Sequence, residues 1–370
     1  MSALMFNFLV LPYRDQYFQK KFGPAVRDLS LIDALSKSSR VQSISVVNRP
    51  VSVYERLLGK RFSRESSGRI EWIDWTSWDL LGPLTKRKWL EHCYSELTFE
   101  FVPQDGMLNV VLDFTPSSVI DYGRLNADFV WYDLIDNFTK HNRYDADEKA
   151  AVGRKYDEIG SVANLITGVS PNSLVRFPGG EVVANGIDIF PEVAGEEAVL
   201  PKYDFGFMGF ITDKFDVSLI EMLSGFGYSV VIYGDCYNSS TAKKLSAIPN
   251  VDLKGRFRSD QAVKLVRTFK VGLIPYIKRM SHDESPLKLY QYLASNRPVL
   301  SSIQYEVVSD CVLTYDDCLE QTIRRSTGYL LELFADPVRR SAISQVISQK
   351  DLWSYKVDSL LTLIEGRARS

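Results

Sequence analysis

The 370-residue sequence has no run of about 18 consecutive apolar residues, the length that a membrane-spanning helix needs. Its charges are balanced, with 44 Lys+Arg against 46 Asp+Glu, and this disfavours a basic nucleic-acid binder. The apolar segment from Ala3 to Leu11 lacks the basic flank and the small-residue cleavage site of a signal peptide. We therefore expect a cytoplasmic protein whose first apolar segment forms a strand.

Cysteine and histidine are also scarce. The four cysteines form no CxxC pair, which is typical of buried thiols in a reducing compartment. The three histidines, His92, His141 and His282, do not have the spacing of metal ligands. The one DxD-like pattern, Asp145-Ala-Asp147, lies in a polar run and is interpreted as a solvated helix face. We expect neither a metal nor another cofactor.

The second half of the chain alternates between apolar strands and amphipathic helices of about ten residues. Such alternation is typical of βαβ units and predicts a parallel sheet covered on both faces. Ligands of such sheets bind beyond the carboxyl ends of the strands. The predicted strands are 204–210, 228–233, 251–253, 271–275 and 298–301, and the predicted helices are 215–226, 259–269 and 286–294.

The first half shows a weaker version of the same pattern. A helix is predicted over 24–36, and strands are predicted over 6–11, 41–47, 108–114, 129–134 and 163–167. A polar, turn-rich segment separates the halves and is interpreted as a linker. The predicted fold class is α/β, with two Rossmann-like, doubly wound domains. The predicted divisions are a first domain at 1–189, a linker at 190–203, a second domain at 204–350 and a terminal helix at 351–370.

The sharpest local motif is Ser285-Pro-Leu-Lys-Leu-Tyr-Gln-Tyr-Leu-Ala294. Ser285 is a favourable N-cap residue, and Pro286 suits the first helical position because its missing N–H leaves no bond unmade. The first-turn N–H groups of Leu287 and Lys288, with the Lys288 ammonium, would form a site for an anion such as a diphosphate. The alternative is an ordinary capped helix with a solvent-facing lysine.

The segment 271–302, VGLIPY…SPLKLYQYLASNRPVLSS, resembles the donor-binding segment of GT-B-fold glycosyltransferases, and Asn185-Gly-Ile-Asp188 resembles their N-G-V-D element. The family that it resembles most is that of the membrane-associated glucuronosyltransferase of xanthan assembly. This resemblance implies an acceptor-binding first domain and a nucleotide-sugar-binding second domain that face each other across a cleft, with the terminal helix crossing back to the first. It also implies a bacterial hexosyl- or glucuronosyltransferase of surface polysaccharide assembly that uses a nucleotide sugar, with uridine as the expected base, and a lipid-linked or glycan acceptor.

The resemblance also assigns donor-binding roles. The diphosphate would be held by Ser285, Pro286, Leu287 and Lys288. Gln291 would reach the ribose; many retaining GT-B enzymes have Glu there, whereas the xanthan-type enzyme has Gln. The close-approach loop and the contacts to the base and the sugar phosphate would come from Gly209, Phe210, Ile211, Phe257 and Tyr276. Since helix amides and a lysine can stabilise the leaving diphosphate, this arrangement requires no metal.

A carboxylate in the first domain is needed if transfer inverts the anomeric centre, because a base must take the proton from the acceptor hydroxyl. Asp136 follows a predicted strand and matches the position of the xanthan-type base, so it ranks first. Asp133 ranks second, with helix capping as its alternative role, and Asp113 ranks third.

Tryptophan is concentrated between residues 72 and 89. The segment 56–88 carries eight basic and four acidic residues, a local charge of +4. Interfacial tryptophans flanked by basic residues are typical of a segment that lies on an anionic membrane. Since the family that the chain resembles has a basic, aromatic segment here, the resemblance favours peripheral association with the inner face of the plasma membrane. The alternative is a core-packed helix with a basic face. The expected membrane and acceptor residues are Trp72, Trp75, Trp78, Lys86, Arg87, Lys88 and Trp89.

Three other functions are compatible with the same sequence. The first is a retaining GT-B glycosyltransferase, in which Asp136 is only structural. The second is a sugar-nucleotide epimerase, which needs no acceptor, and the third is an inactive partner of a glycan-assembly complex. Product stereochemistry distinguishes the retaining enzyme from the inverting one, and turnover without an acceptor identifies the epimerase.

Overall fold

The computed structural model describes residues 4–23, 26–57, 66–81, 84, 91–96, 101–188, 200–281, 285–315 and 320–369. The chain divides into two compact units. Unit 1 contains residues 1–184 and 353–370, and unit 2 contains residues 185–352. The boundary thus lies five residues before the predicted one, and most of the predicted linker falls outside the described residues.

The strands of unit 1 are β1 (Phe6–Leu11), β2 (Val41–Val47), β3 (Val51–Ser52), β4 (Ser66–Ser67), β5 (Ile70–Ile73), β6 (Thr76–Ser77), β7 (Leu108–Asp113), β8 (Phe129–Leu134), β9 (Leu165–Gly168) and β10 (Glu181–Val182). Eight of them form a sheet in the order β10-β9-β8-β7-β1-β2-β5-β4, in which the described strand pairs are parallel except for β4–β5. A short parallel pair, β3–β6, lies apart from it.

The helices of unit 1 include one from the end of the chain. They are α1 (Gln16–Phe22), α2 (Arg27–Lys37), α3 (Val53–Leu57), α4 (Ala146–Val162) and, after unit 2, α11 (Trp353–Arg369). Helix α11 packs against α2, and its Arg367 guanidinium lies 2.9 Å from a Glu181 carboxylate oxygen. The central strand β1 is buried along its whole length because parallel strands on both sides and packed side chains on its faces exclude water from it.

The strands of unit 2 are β11 (Tyr203–Met208), β12 (Val230–Tyr233), β13 (Val251–Gly255), β14 (Phe269–Ile274), β15 (Val299–Ser301) and β16 (Val312–Thr314). They form a parallel sheet in the order β13-β12-β11-β14-β15-β16. The helices of unit 2 are α5 (Val217–Gly225), α6 (Ser239–Ala247), α7 (Ala262–Val266), α8 (Leu287–Ala294), α9 (Glu320–Ala335) and α10 (Pro337–Ala342). The strand order reverses direction next to β11, so the loops after β11 and β14 mark the edge at which ligands of such sheets bind.

Both units are therefore Rossmann-like, as the alternation of strands and helices predicts. The buried strands of unit 2 contain almost continuous apolar residues, as expected for a parallel sheet that is covered on both faces.

Candidate functional site

Three glycines lie where neighbouring strands of unit 2 end. Gly209, Gly234 and Gly255 have positive φ angles of 144°, 149° and 72°. A Cβ on Gly234 would lie 1.7 Å from the Gly209 carbonyl oxygen, so a side chain cannot be accommodated there. The Gly234 N–H also donates to the Gly255 carbonyl at 2.7 Å. The strand ends therefore approach each other as bare backbone, which leaves room for a ligand.

The Lys288 ammonium lies over this bare backbone. A Cβ placed on Gly209 would be 3.2 Å from Lys288 Nζ, so the lysine occupies the space that a side chain would take. The ammonium donates to the hydroxyl of Tyr276 and lies 5.2 Å from the centroid of the Phe207 ring. The structure thus brings together Gly209, Tyr276 and Lys288, three residues that the sequence predicts to bind the donor.

A second cation, which the sequence analysis missed, lies beside the same tyrosine. Lys214 is only 7% exposed, and its ammonium lies 4.7 Å from the centroid of the Tyr276 ring. Its carbonyl accepts the Ile277 N–H at 2.7 Å, which fixes the loop after β11 against the loop after β14. A lysine in a loop is by itself a weak indication of a binding site. The loop of Lys214, however, follows the carboxyl end of β11, where ligands of such sheets bind, and this position could have marked it as a candidate binding residue.

The start of α8 differs from the prediction. The helix begins at Leu287 and Pro286 is its N-cap residue, so Ser285 does not cap it. The reason is that the Ser285 hydroxyl is used elsewhere: it accepts the Asn185 N–H at 3.1 Å and donates to Glu306 at 2.5 Å. Leu287 and Lys288 are half-buried in the first turn, at the positive end of the helix dipole, which favours an anion.

The remaining predicted donor residues differ in their surroundings. Phe210 is half-buried, with its ring centroid 5.6 Å from that of Tyr237. Phe257 is also half-buried, and Gln291 lies three residues beyond Lys288, on nearly the same side of α8. The Ile211 side chain is fully buried in the core of unit 2, so a donor could meet only its backbone.

In unit 1, Asp136 lies in the turn directly after β8, at the carboxyl edge of the sheet. It is half-buried, and its Oδ1 accepts the N–H of Asn137 at 2.9 Å. Phe138, two residues after Asp136, packs against Tyr13 from the loop after β1, with ring centroids 5.4 Å apart. Asp136 therefore lies beside the loop that follows the central strand.

Asp133, the second candidate base, is a structural residue. Its two carboxylate oxygens accept Arg27 Nε at 2.7 Å and an Arg27 terminal nitrogen at 2.8 Å. The Thr167 hydroxyl donates to the same carboxylate at 2.6 Å. The Asp133 side chain is inaccessible to solvent, so the prediction that it could serve as a base or as a helix cap is wrong.

Asp113, the third candidate, is also fully engaged. It forms a buried ion pair with Lys155 at 2.9 Å and accepts the hydroxyls of Tyr122 at 2.5 Å and Thr115 at 2.7 Å. Burial and the Asp113 charge raise the pKa of Tyr122, so this tyrosine remains a proton donor in the network. This satisfied cluster joins β7 to α4 and leaves Asp136 as the more accessible carboxylate.

The tryptophan-rich segment is not a single surface element. Trp72 is in β5 and only 3% exposed, so its prediction as a membrane contact is wrong: the pleat of the strand turns it into the core. Trp75 is half-buried, and its indole N–H donates to the Asn48 carbonyl at 3.0 Å. Trp78, in contrast, is 75% exposed. The predicted contacts Lys86, Arg87, Lys88 and Trp89 lie outside the described residues.

Large apolar side chains next to Trp78 are exposed as well. The apolar surface after β6 consists of Trp78, Leu80, Leu81 and Leu84. Among the described residues, no helix is long and apolar enough to cross a membrane.

The described part of the chain holds no group of three or more His, Cys, Asp or Glu side chains that could bind a metal ion. Asp145 of the DxD-like pattern is the N-cap of α4, and its carboxylate accepts the Glu148 N–H at 2.8 Å. The pattern is thus a helix start, in agreement with its interpretation as a solvated helix face.

No protein-family model and no curated protein sequence matches the chain. Solved structures do match it. The N-terminal domain of a trehalose-6-phosphate phosphatase from Candida albicans aligns with a TM-score of 0.64 at 12% identity, over 99% of this chain and 97% of its own. AviGT4, a glycosyltransferase involved in avilamycin A biosynthesis, aligns with a TM-score of 0.58 at 12% identity, over 99% and 98%.

The fold is GT-B. A third match is S. aureus TarM, solved in complex with fondaparinux, alpha-GlcNAc-glycerol and UDP, with a TM-score of 0.51 at 15% identity. The alignment covers 71% of this chain but only 55% of TarM, so the chain spans about half the length of that protein. At these identities the comparisons establish the architecture alone.

Proposed function

We propose that this protein is a glycosyltransferase that transfers a sugar from a nucleotide sugar, with UDP as the nucleotide product. The observation that carries the proposal is the convergence of Lys214 and Lys288 on Tyr276 beside the bare backbone of Gly209. Two ammonium groups and the first turn of α8 suit a diphosphate, which carries several negative charges. The UDP in the TarM complex and the GT-B fold are consistent with a uridine donor.

The chemistry at this site is the stabilisation of a leaving group. As the bond between the anomeric carbon and the diphosphate breaks, negative charge accumulates on the diphosphate. Lys288, Lys214 and the N-terminal end of α8, where the helix dipole is positive, are held in place before the reaction, so they stabilise this charge without a large reorganisation. The proposed reaction is therefore independent of a metal.

Asp136 is the proposed general base. In an inverting transfer, the base removes the proton from the acceptor hydroxyl while its oxygen attacks the anomeric carbon. Of the three candidate carboxylates in unit 1, Asp133 and Asp113 are buried in ion pairs with Arg27 and Lys155, whereas Asp136 is half-buried in a turn at the carboxyl edge. An Asp136-independent reaction with retained anomeric configuration would favour the retaining alternative.

The proposed acceptor is a lipid-linked or glycan substrate of surface polysaccharide assembly, and the proposed location is the inner face of the plasma membrane. The exposed apolar surface after β6 supports this proposal, because four large apolar side chains in contact with water are unfavourable unless a partner covers them. The basic residues of the segment 56–88 would attract anionic lipid headgroups to the same region.

Calorimetric titration of the purified protein with UDP, GDP and ADP, each with and without a divalent metal, tests the donor assignment. We expect metal-independent binding of UDP and weaker binding of the other two. Binding that requires the metal would contradict the proposed mechanism, and an absence of binding by all three would contradict the proposed function.

A further inference from the structure

An exposed carboxylate in unit 2 receives hydrogen bonds from two buried hydroxyl groups. Glu306 lies in the loop between β15 and β16, and its Oε1 accepts the Ser285 hydroxyl at 2.5 Å and the Tyr290 hydroxyl at 2.5 Å. Tyr290 is only 1% exposed, on the buried side of α8. Surface glutamates are ordinarily solvated by water. Glu306 instead satisfies the hydrogen-bonding capacity of two buried hydroxyl groups, which indicates a structural role.

The hydrogen bonds of Ser285 extend this network to the start of unit 2. The Asn185 N–H donates to Ser285 Oγ at 3.1 Å, and the Asn185 side-chain amide donates to the Ser285 carbonyl oxygen. Because Ser285 Oγ accepts from Asn185, its own proton is directed to Glu306. Two partners thus fix Ser285. Asn185, 100 residues away, binds its carbonyl, and Glu306, 21 residues away, binds its hydroxyl.

Ser285 leads directly into the proposed diphosphate site. Pro286 follows as the N-cap of α8, its carbonyl accepts the Leu289 N–H at 3.0 Å, and Lys288 lies in the turn between them. Tyr290, in the same helix, is held by Glu306 from the other side. A shift of Ser285 or Tyr290 would therefore displace both the first-turn N–H groups and the Lys288 ammonium relative to Gly209.

We propose that Glu306 is a positioning residue for the donor diphosphate: by receiving the hydroxyls of Ser285 and Tyr290 it fixes the first turn of α8 in its binding geometry. The inference rests on the proposed function, because it assumes that this turn binds a diphosphate. Burial and the Glu306 charge both raise the pKa of Tyr290, so its hydroxyl stays protonated as a donor to Glu306.

The test is the dissociation constant of UDP for the full-length protein and its variants, measured together with the thermal midpoint. Glu306→Ala removes the acceptor and is expected to weaken UDP binding by about tenfold or more, since hydrogen bonds to charged groups carry this much free energy. Glu306→Gln keeps an acceptor oxygen and should retain most of the affinity. Tyr290→Phe removes one donor from the network with little change in volume and should give an intermediate loss.

A matched control is Glu221→Ala, which removes another exposed glutamate of unit 2, one that pairs with Lys244 at 3.0 Å on the surface. It should leave UDP affinity unchanged. If Glu306→Ala binds UDP as the wild type does and only its thermal midpoint falls, the network merely stabilises the fold and the inference is wrong. If the wild-type protein binds no nucleoside diphosphate, the proposed function fails and this inference fails with it.

Discussion

One carboxyl group in the core of unit 1 has few hydrogen-bond partners for its degree of burial. Asp28, in the first turn of α2, is completely buried, and one of its carboxylate oxygens accepts the Arg14 N–H at 2.7 Å. Burial raises its pKa to about 6, against the lowering effects of the Arg14 N–H and the Arg14 charge. A carboxyl group with a raised pKa in the folded state stabilises the protein only while it is protonated. Its contribution is present below about pH 4 and is lost as the pH rises through 6.

We therefore expect Asp28→Asn to stabilise the protein at pH 7.5, by at most about 3 kcal/mol, and to change little at pH 4. Denaturant unfolding of both proteins at the two pH values measures this difference. Asp33→Asn, at a more exposed position in the same helix that pairs with Lys37, is the control and should not show it. A loss of stability at pH 7.5 would mean that the ionised carboxylate is needed.

The two lysines of the proposed donor site, Lys288 and Lys214, are expected to contribute directly to UDP affinity. Lys288→Ala and Lys214→Ala should each weaken UDP binding by about 10- to 100-fold, because each removes a charge-assisted contact to phosphate. Titration calorimetry measures the effect. Lys244→Ala, which removes an ammonium from the surface of α6, should bind UDP normally. Unchanged affinity in Lys288→Ala would place the diphosphate elsewhere.

Asp136 gives a prediction about turnover rather than binding. Asp136→Asn should lower the transfer rate by about 100- to 10,000-fold, the usual contribution of a general base, and leave the dissociation constant of UDP unchanged. The exposed Asp121, which pairs with Arg124 at 3.0 Å, provides the control variant Asp121→Asn. Near-native turnover by Asp136→Asn, with the anomeric configuration of the product retained, would contradict the inverting mechanism.

At the scale of elements, the sequence predicted the long buried strands well and the short ones poorly. Strands β1, β2 and β8 coincide with their predicted ranges. In β1 and β8 almost continuous apolar residues mark a strand that is covered on both faces, whereas β2 contains three polar residues and is partly exposed. Two-residue strands such as β3 and β6 are too short to carry a periodic pattern. Contacts across more than 100 residues, such as Arg27 with Asp133, leave no local signal. For this reason the sequence could not show that Asp133 is a structural residue.

The segment around β5 and β6 shows the same limit. Composition and the family resemblance predicted that its tryptophans lie together on a surface. In the structure Trp72 of β5 points into the core, whereas Trp78, which follows β6, is exposed to solvent. Only the register of a strand distinguishes these positions, and a four-residue strand is too short to reveal its register in the sequence.

The exposed apolar surface after β6 predicts a measurable membrane affinity. Trp78→Ala combined with Leu81→Ser should weaken binding to vesicles that contain anionic lipid by about tenfold or more, since each side chain loses apolar area that a bilayer interface would bury. Vesicle co-sedimentation measures the change. Val175→Ala, at an exposed apolar position elsewhere in unit 1, is the control. Equal binding by the double variant would show that this surface does not contact lipid.

At the scale of the whole molecule, unit 1 is discontinuous in sequence. Trp353 begins α11 and is only 2% exposed. The centroid of its ring lies 5.6 Å from the Arg27 guanidinium carbon. Trp353→Ala should destabilise unit 1 by about 3–5 kcal/mol through the cavity that it leaves. Since the proposed UDP site is built from residues of unit 2, UDP affinity should remain unchanged at temperatures at which unit 1 is still folded. Denaturant unfolding and calorimetry on the same variant test the two statements together.

The chain leaves unit 1 and returns to it through neighbouring segments. Ile187 and Leu352 pair as a parallel bridge, and the Ile187 N–H donates to the Asp351 carbonyl at 2.9 Å. Because the ribosome synthesises the chain from its N-terminus, the two units are completed in the reverse of the order in which they are begun. Unit 2 is complete in the nascent chain once residue 352 has emerged, whereas unit 1 must wait for α11, although it was begun first. Its sheet is then exposed to chaperones and to partner strands for the whole time that unit 2 is being made.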